Sequence, residues 1–163
     1  MKPPRTTLLT LTAAIAVLTG GCVPSPSSMA RHFESRRPGL ERVVKMMAQD
    51  PTLRNVMPNS FAFEPGVLVT LDPPSTIPQE QWPISRARWQ EYQDLFEEEG
   101  LPYGAARCGP NTFVIPFHTR GMLLHGNAAG YIYSREPFTG AGDCSGYVVL
   151  PIRDSWYAYN EGL

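Results

Sequence analysis

The chain predicts an α+β fold, a two-layer domain in which an antiparallel meander sheet packs against two helices. Three observations carry this. Apolar residues recur at helical spacing in two segments, at Leu40, Val43, Val44 and Met47 and again at Trp89, Tyr92, Leu95 and Phe96. From Asn111 onward the period changes to alternation, with Phe113, Ile115 and Phe117 on one side. The later strand-like runs are short, sequential and separated by Gly- and Asn-containing breaks, which favours antiparallel neighbours. Two helices can then cover one face of the sheet.

The first helix is expected from Pro38 to Gln49, since proline suits a first turn and Pro51 stops the segment. Residues 51–84 read as Pro-rich and irregular, crossed by one strand from Val67 to Leu71 that Asp72-Pro73-Pro74 ends. Phe61 and Trp82 are too apolar to leave in water and are expected to pin this stretch to the domain. The second helix has the fullest local signal. Ser85 is placed to cap it, and Gly100 fits the left-handed position past its end, with Leu101 and Pro102 following. Glu97-Glu98-Glu99 lies where the helix dipole disfavours negative charge, and reads as a solvated end more readily than as a partner surface. After the strand around Phe113–Phe117, His118-Thr119-Arg120-Gly121 reads as a turn. Further strands are expected at Met122–His125, Gly130–Ser134, Tyr147–Ile152 and Ser155–Tyr159.

The N-terminus has the layout of a secretory signal. Lys2 and Arg5 precede an uncharged run from Leu8 to Leu18, which two small residues and a cysteine follow. The run is short of the roughly 20 apolar residues a spanning helix needs. Leu18-Thr19-Gly20-Gly21-Cys22 resembles the lipobox of bacterial lipoproteins, with threonine where that family usually has leucine. The resemblance implies cleavage after residue 21 and acylation of Cys22, which anchors the chain to a membrane. Several acyl chains make such an anchor stable, at roughly 0.8 kcal/mol per buried CH₂. Val23 stands where aspartate commonly retains lipoproteins at the inner membrane, so the resemblance implies a periplasm-facing place on the outer membrane of a diderm cell. Residues 22–33 are expected to form a Pro/Ser tether and residues 34–163 the single globular domain.

Removing residues 1–21 leaves 142 of the 163 residues, enough for a real core, and a net charge of about −3. That balance argues against a nucleic-acid partner. With Cys22 acylated, Cys108 and Cys144 remain as a pair in an oxidising compartment, where a disulfide is the default.

Asp143-Cys144-Ser145-Gly146 is similar to the segment that holds the nucleophile of NlpC/P60 cell-wall peptidases. In that family the cysteine starts a helix and its histidine lies downstream. Here no histidine follows Cys144, and Tyr147-Val148-Val149-Leu150-Pro151 reads as strand. His32, His118 and His125 have no carboxylate or cysteine at metal-ligand spacing, and the glycines of residues 121–146 read as turns rather than a phosphate loop. No metal, cofactor or catalytic residue is expected. Some of the tyrosines must pack against the helices, and core packing is the first reading; Tyr131, Tyr133, Tyr157 and Tyr159 are the candidate binding surface if they face outward.

Taken together, Ile84–Phe96, Gly130–Ser134 and Asp154–Tyr159 resemble small uncharacterised proteobacterial lipoproteins, a likeness that implies address and size. The function expected is a non-catalytic, lipid-anchored envelope protein that binds a protein or an envelope component. The alternatives are an immunity-type protein neutralising a periplasmic toxin, and a thiol hydrolase using Cys144.

Overall fold

The computed structural model describes residues 24–63, 66–70, 76–120, 127–140 and 146–161. Helix α1 spans Pro26–Gln49. Ser25 caps it, its hydroxyl accepting from the Ser28 amide at 3.2 Å, and Pro26 occupies the first turn, where no amide donor is needed. The expected tether is therefore corrected from Pro26 onward, and Pro38 stands inside the helix rather than at its start. The reason is a longer apolar stripe. Met29 and Phe33 continue the face of Leu40, Val43 and Met47, and Phe33 is fully buried, its ring 5.7 Å from Tyr131 and 5.4 Å from Trp156. Burying such a ring offsets the roughly 3 kcal/mol that an interior proline costs a helix.

Strands β1 (Leu53–Met57), β2 (Ser60–Phe63) and β3 (Val67–Thr70) form successive hairpins, and a short 3-10 turn at Gln79–Gln81 leads into helix α2 (Arg86–Glu99). Strands β4 (Ala105–Gly109), β5 (Thr112–Arg120), β6 (Asn127–Ser134), β7 (Tyr147–Arg153) and β8 (Trp156–Glu161) follow. All eight join one antiparallel sheet in the order β3-β2-β1-β4-β5-β6-β8-β7, with both helices on one face. This is the two-layer α+β architecture. The chain leaves strict meander order twice, where α2 carries it from β3 to β4 and where β8 turns back between β6 and β7.

Helix α2 ends as its sequence reads. Gly100 is left-handed at φ 61°, its amide donates to the Glu97 carbonyl, and the Leu101 amide reaches back to Phe96 at 2.8 Å. Phe61, Trp82 and Trp89 meet edge-on, with centroids 5.0–5.5 Å apart, so the Pro-rich stretch is pinned as expected. Two further expectations change. Residues 53–63 are a β-hairpin rather than irregular chain, and β5 runs through the expected turn to Arg120, with a register shift between Pro116 and His118. The expected strand at Met122–His125 lies outside the described residues, and β6 begins at Asn127, ahead of the expected Gly130.

One polar cluster joins the layers. At the end of α1, the Asp50 carboxylate accepts from Arg88 Nε at 2.9 Å and from the Tyr92 hydroxyl at 2.8 Å. Arg107, from β4, donates to the carbonyls of Met47, Asp50 and Leu53. Burial pulls the Arg107 pKa down and pushes the Tyr92 phenol far up, the second shift reinforced by the Asp50 carboxylate.

Because Phe33 sits in the core, Phe33→Ala is expected to destabilise the domain by about 3–5 kcal/mol. Urea unfolding followed by tryptophan emission measures this. A loss below about 1 kcal/mol, as a solvated tether gives, contradicts the placement.

Candidate functional site

A sheet with helices on one face leaves its other face to itself, and the period of two sorts the strand residues between them. Tyr131 and Trp156 point into the helix-covered core, with Tyr133 packed partly buried against it. Val114, Ile132 and Tyr159 form a second buried cluster on the opposite face, joined by Tyr147, Val149, Tyr157 and Phe138. The expected tyrosine surface is therefore corrected. Tyr131 and Tyr159 are buried, on different faces, and only Tyr133 and Tyr157 are part-exposed. The Tyr131 hydroxyl donates to the Met29 carbonyl at 3.0 Å, and the Tyr157 hydroxyl accepts from the Phe138 amide at 3.2 Å.

On the helix-free face lies a shallow depression of about 430 Å³, bounded by Asn55, Ala106, Val114, Tyr147, Tyr159 and Glu161 among others. Small residues form its floor, and the stacked rings of Tyr147 and Tyr159, 4.6 Å apart, form one wall. Gly130 makes that wall possible. A Cβ at this position would collide with the Ile115 carbonyl oxygen and crowd the Tyr159 ring, which lies across the sheet at its register partner. Glu161 closes the end, accepting from the Ala128 amide at 3.1 Å. Burial raises the pKa of Tyr159 far above the ordinary phenol, and Tyr147 and Glu161 push it further the same way. Tyr147 is raised by burial first and by Glu161 second.

The remaining sequence candidates separate. Cys108 is disulfide-bonded, while Cys144 and Cys22 lie outside the described residues. Directly after the Asp-Cys-Ser-Gly string comes strand β7, where the peptidase pattern has a helix. His32 is exposed on α1, His118 lies opposite Ala129 on β5, and His125 falls outside the described residues. Among the described residues no group of three His, Cys, Asp or Glu is arranged around a metal position. The acidic end of α2 is bound internally. Arg42 forks onto Glu98 at 2.7 and 3.0 Å and reaches Glu99 at 3.3 Å, and Gly39 leaves the space that the Glu99 carboxylate occupies.

A second hollow, of about 480 Å³, lies beside the end of α2 and is lined by Pro58, Phe96, Leu101 and Pro102. Neither hollow brings a histidine to a carboxylate among its described lining. The depression on the helix-free face is lined by small and aliphatic residues at Ala106, Val114 and Ala128, by the Tyr147 and Tyr159 phenols, and by polar and charged residues that include Arg54, Asn55 and Glu161. Sequence pattern pointed to the tyrosines but not to Glu161 or Asn55, whose roles follow only from strand register. No family model matches this chain, and no curated protein or solved structure matches it either.

Tyr92 and Tyr159 have folded pKa values above the unfolded phenol value of about 10, so their contribution to stability is fully present below about pH 10 and lost as the pH rises further. The urea midpoint should fall above about pH 10, and less steeply in Tyr159→Phe. Parallel profiles for parent and variant would remove Tyr159 from this account.

Proposed function

We propose that this chain is a lipid-anchored envelope protein whose domain binds a protein or an envelope component without chemistry of its own. Acyl groups on Cys22 hold it to a membrane, the outer membrane where the cell has two. The observation that carries this reading is the N-terminal order of Lys2 and Arg5, the apolar run Leu8–Leu18, and Gly20-Gly21-Cys22. One feature of the fold supports it. The helix-free face carries a depression edged by tyrosines, and anchoring concentrates even a weak binder at the surface it serves.

Intact mass and fractionation test the anchor. Protein extracted with detergent should carry the mass of acyl chains on a chain that begins at Cys22, with its two other cysteines alkylated only after reduction. Cys22→Ser should lose both the added mass and the membrane fraction. A parent chain without added mass, or a variant that stays with the membrane, contradicts the reading.

A further inference from the structure

We propose that the open edge of the helix-covered face, at Val148 and Leu150, lies against the phospholipid bilayer that holds Cys22. The inference rests on the lipid-anchored reading and gives the domain an orientation that the anchor alone does not.

Among the described residues, strand β7 is at the edge of the sheet, paired only with β8. Along it Val148 is 57% and Leu150 38% exposed, while Tyr147 and Val149 turn to the other face and are half-buried. The register partners of Val148 and Leu150 on β8 are Asn160 and Ala158, and Ala158 belongs to the helix-covered core. Asn160 also holds the beginning of the described chain, its Nδ2 donating to the Pro24 carbonyl at 3.1 Å. The chain therefore joins the fold beside Val148, on the same face.

Chain length then sets the distance to the membrane. Only Val23 separates Pro24 from Cys22, and two residues of backbone span at most about 7 Å. A cysteine whose acyl chains are in the hydrocarbon keeps Pro24 within about that reach of the lipid surface. Val148 comes with it, one residue across the ladder. The attachment is stiff, because Ser25 caps α1 and Met29 and Phe33 fix its first turns in the core. An anchored domain with no spacer cannot tumble freely, and the aliphatic edge nearest the anchor faces the headgroups. A second copy of the chain fits this edge less well, since Pro151 offers no amide to a new strand. Leu68, 52% exposed on β3 at the far edge of the sheet, has no such link and serves as the control.

The test uses the full acylated protein in vesicles of phosphatidylcholine and phosphatidylglycerol with brominated acyl chains. Leu150→Trp and Leu68→Trp each add one tryptophan at an exposed site to the three native ones. The added emission of Leu150→Trp should be quenched at least about twofold more strongly than that of Leu68→Trp. Equal quenching on protein shown by mass to carry acyl chains overturns the orientation and leaves the anchor standing. Absence of acyl mass removes both. Emission of Leu150→Trp that shifts with protein concentration in detergent would assign the edge to a second copy and overturn the proposal.

Discussion

The last turn of an α-helix leaves carbonyl oxygens without partners inside the helix and gathers the negative end of its dipole. In α1 that end is partly buried against the sheet, and two arginines from elsewhere in the chain answer it. Arg107 reaches Met47 and Asp50 from β4, and Arg88 reaches Asp50 and Gln49 from α2. The Asp50 carboxylate balances them and takes the Tyr92 hydroxyl as well. Both layers and both helices are thus fixed at one point by charge-assisted hydrogen bonds, which hold geometry better than aliphatic contacts do. Lysine is not equivalent at Arg107, whose planar fork serves Leu53, Asp50 and Pro110 at once.

The opposite end of α1 is fixed by different means. Ser25 caps it, Asn160 holds Pro24, and the Tyr131 hydroxyl takes the Met29 carbonyl. The helix is a strut between the polar cluster and the place where the chain joins the fold. On the proposed reading that place is also where the membrane begins. On that same reading, an anchor tied to such a strut would pass its constraint into the core and set the helix-free face at a defined angle to the lipid.

How much of this the sequence carried depended on whether each element was announced by side-chain period. Helix α2 was legible at both ends, because Ser85 and Gly100 are local signals and Trp89, Tyr92, Leu95 and Phe96 mark one face. Strand β5 was legible as far as Phe117 from its alternating large residues, and most of β6, β7 and β8 from short runs set between Gly- and Asn-containing breaks. Strand β1 was not, since the register shift between Leu53 and Asn55 puts Leu53 and Val56 on the same face and breaks the period of two. Strand β4 was hidden because Ala105 and Ala106 are small and Arg107, at an inward position, is spent on helix carbonyls. The first half of α1 was hidden by Ser27, Ser28, Arg36, Arg37 and Pro38, residues that read as tether when Met29 and Phe33 are not seen to share a stripe. The tyrosines were legible as an aromatic group, but which of them face solvent is set by register, and Gly130 decides it for Tyr159.

Helix α1 is one continuous element, held at both ends and packed along its whole length. Native-state hydrogen exchange on the full chain, read peptide by peptide, tests it most directly. Amides from Phe33 to Gln49 are expected to exchange only with global unfolding, with protection extending back through the turn at Met29. Fast exchange up to Pro38, with protection only beyond it, would return the first half of the helix to a solvated tether.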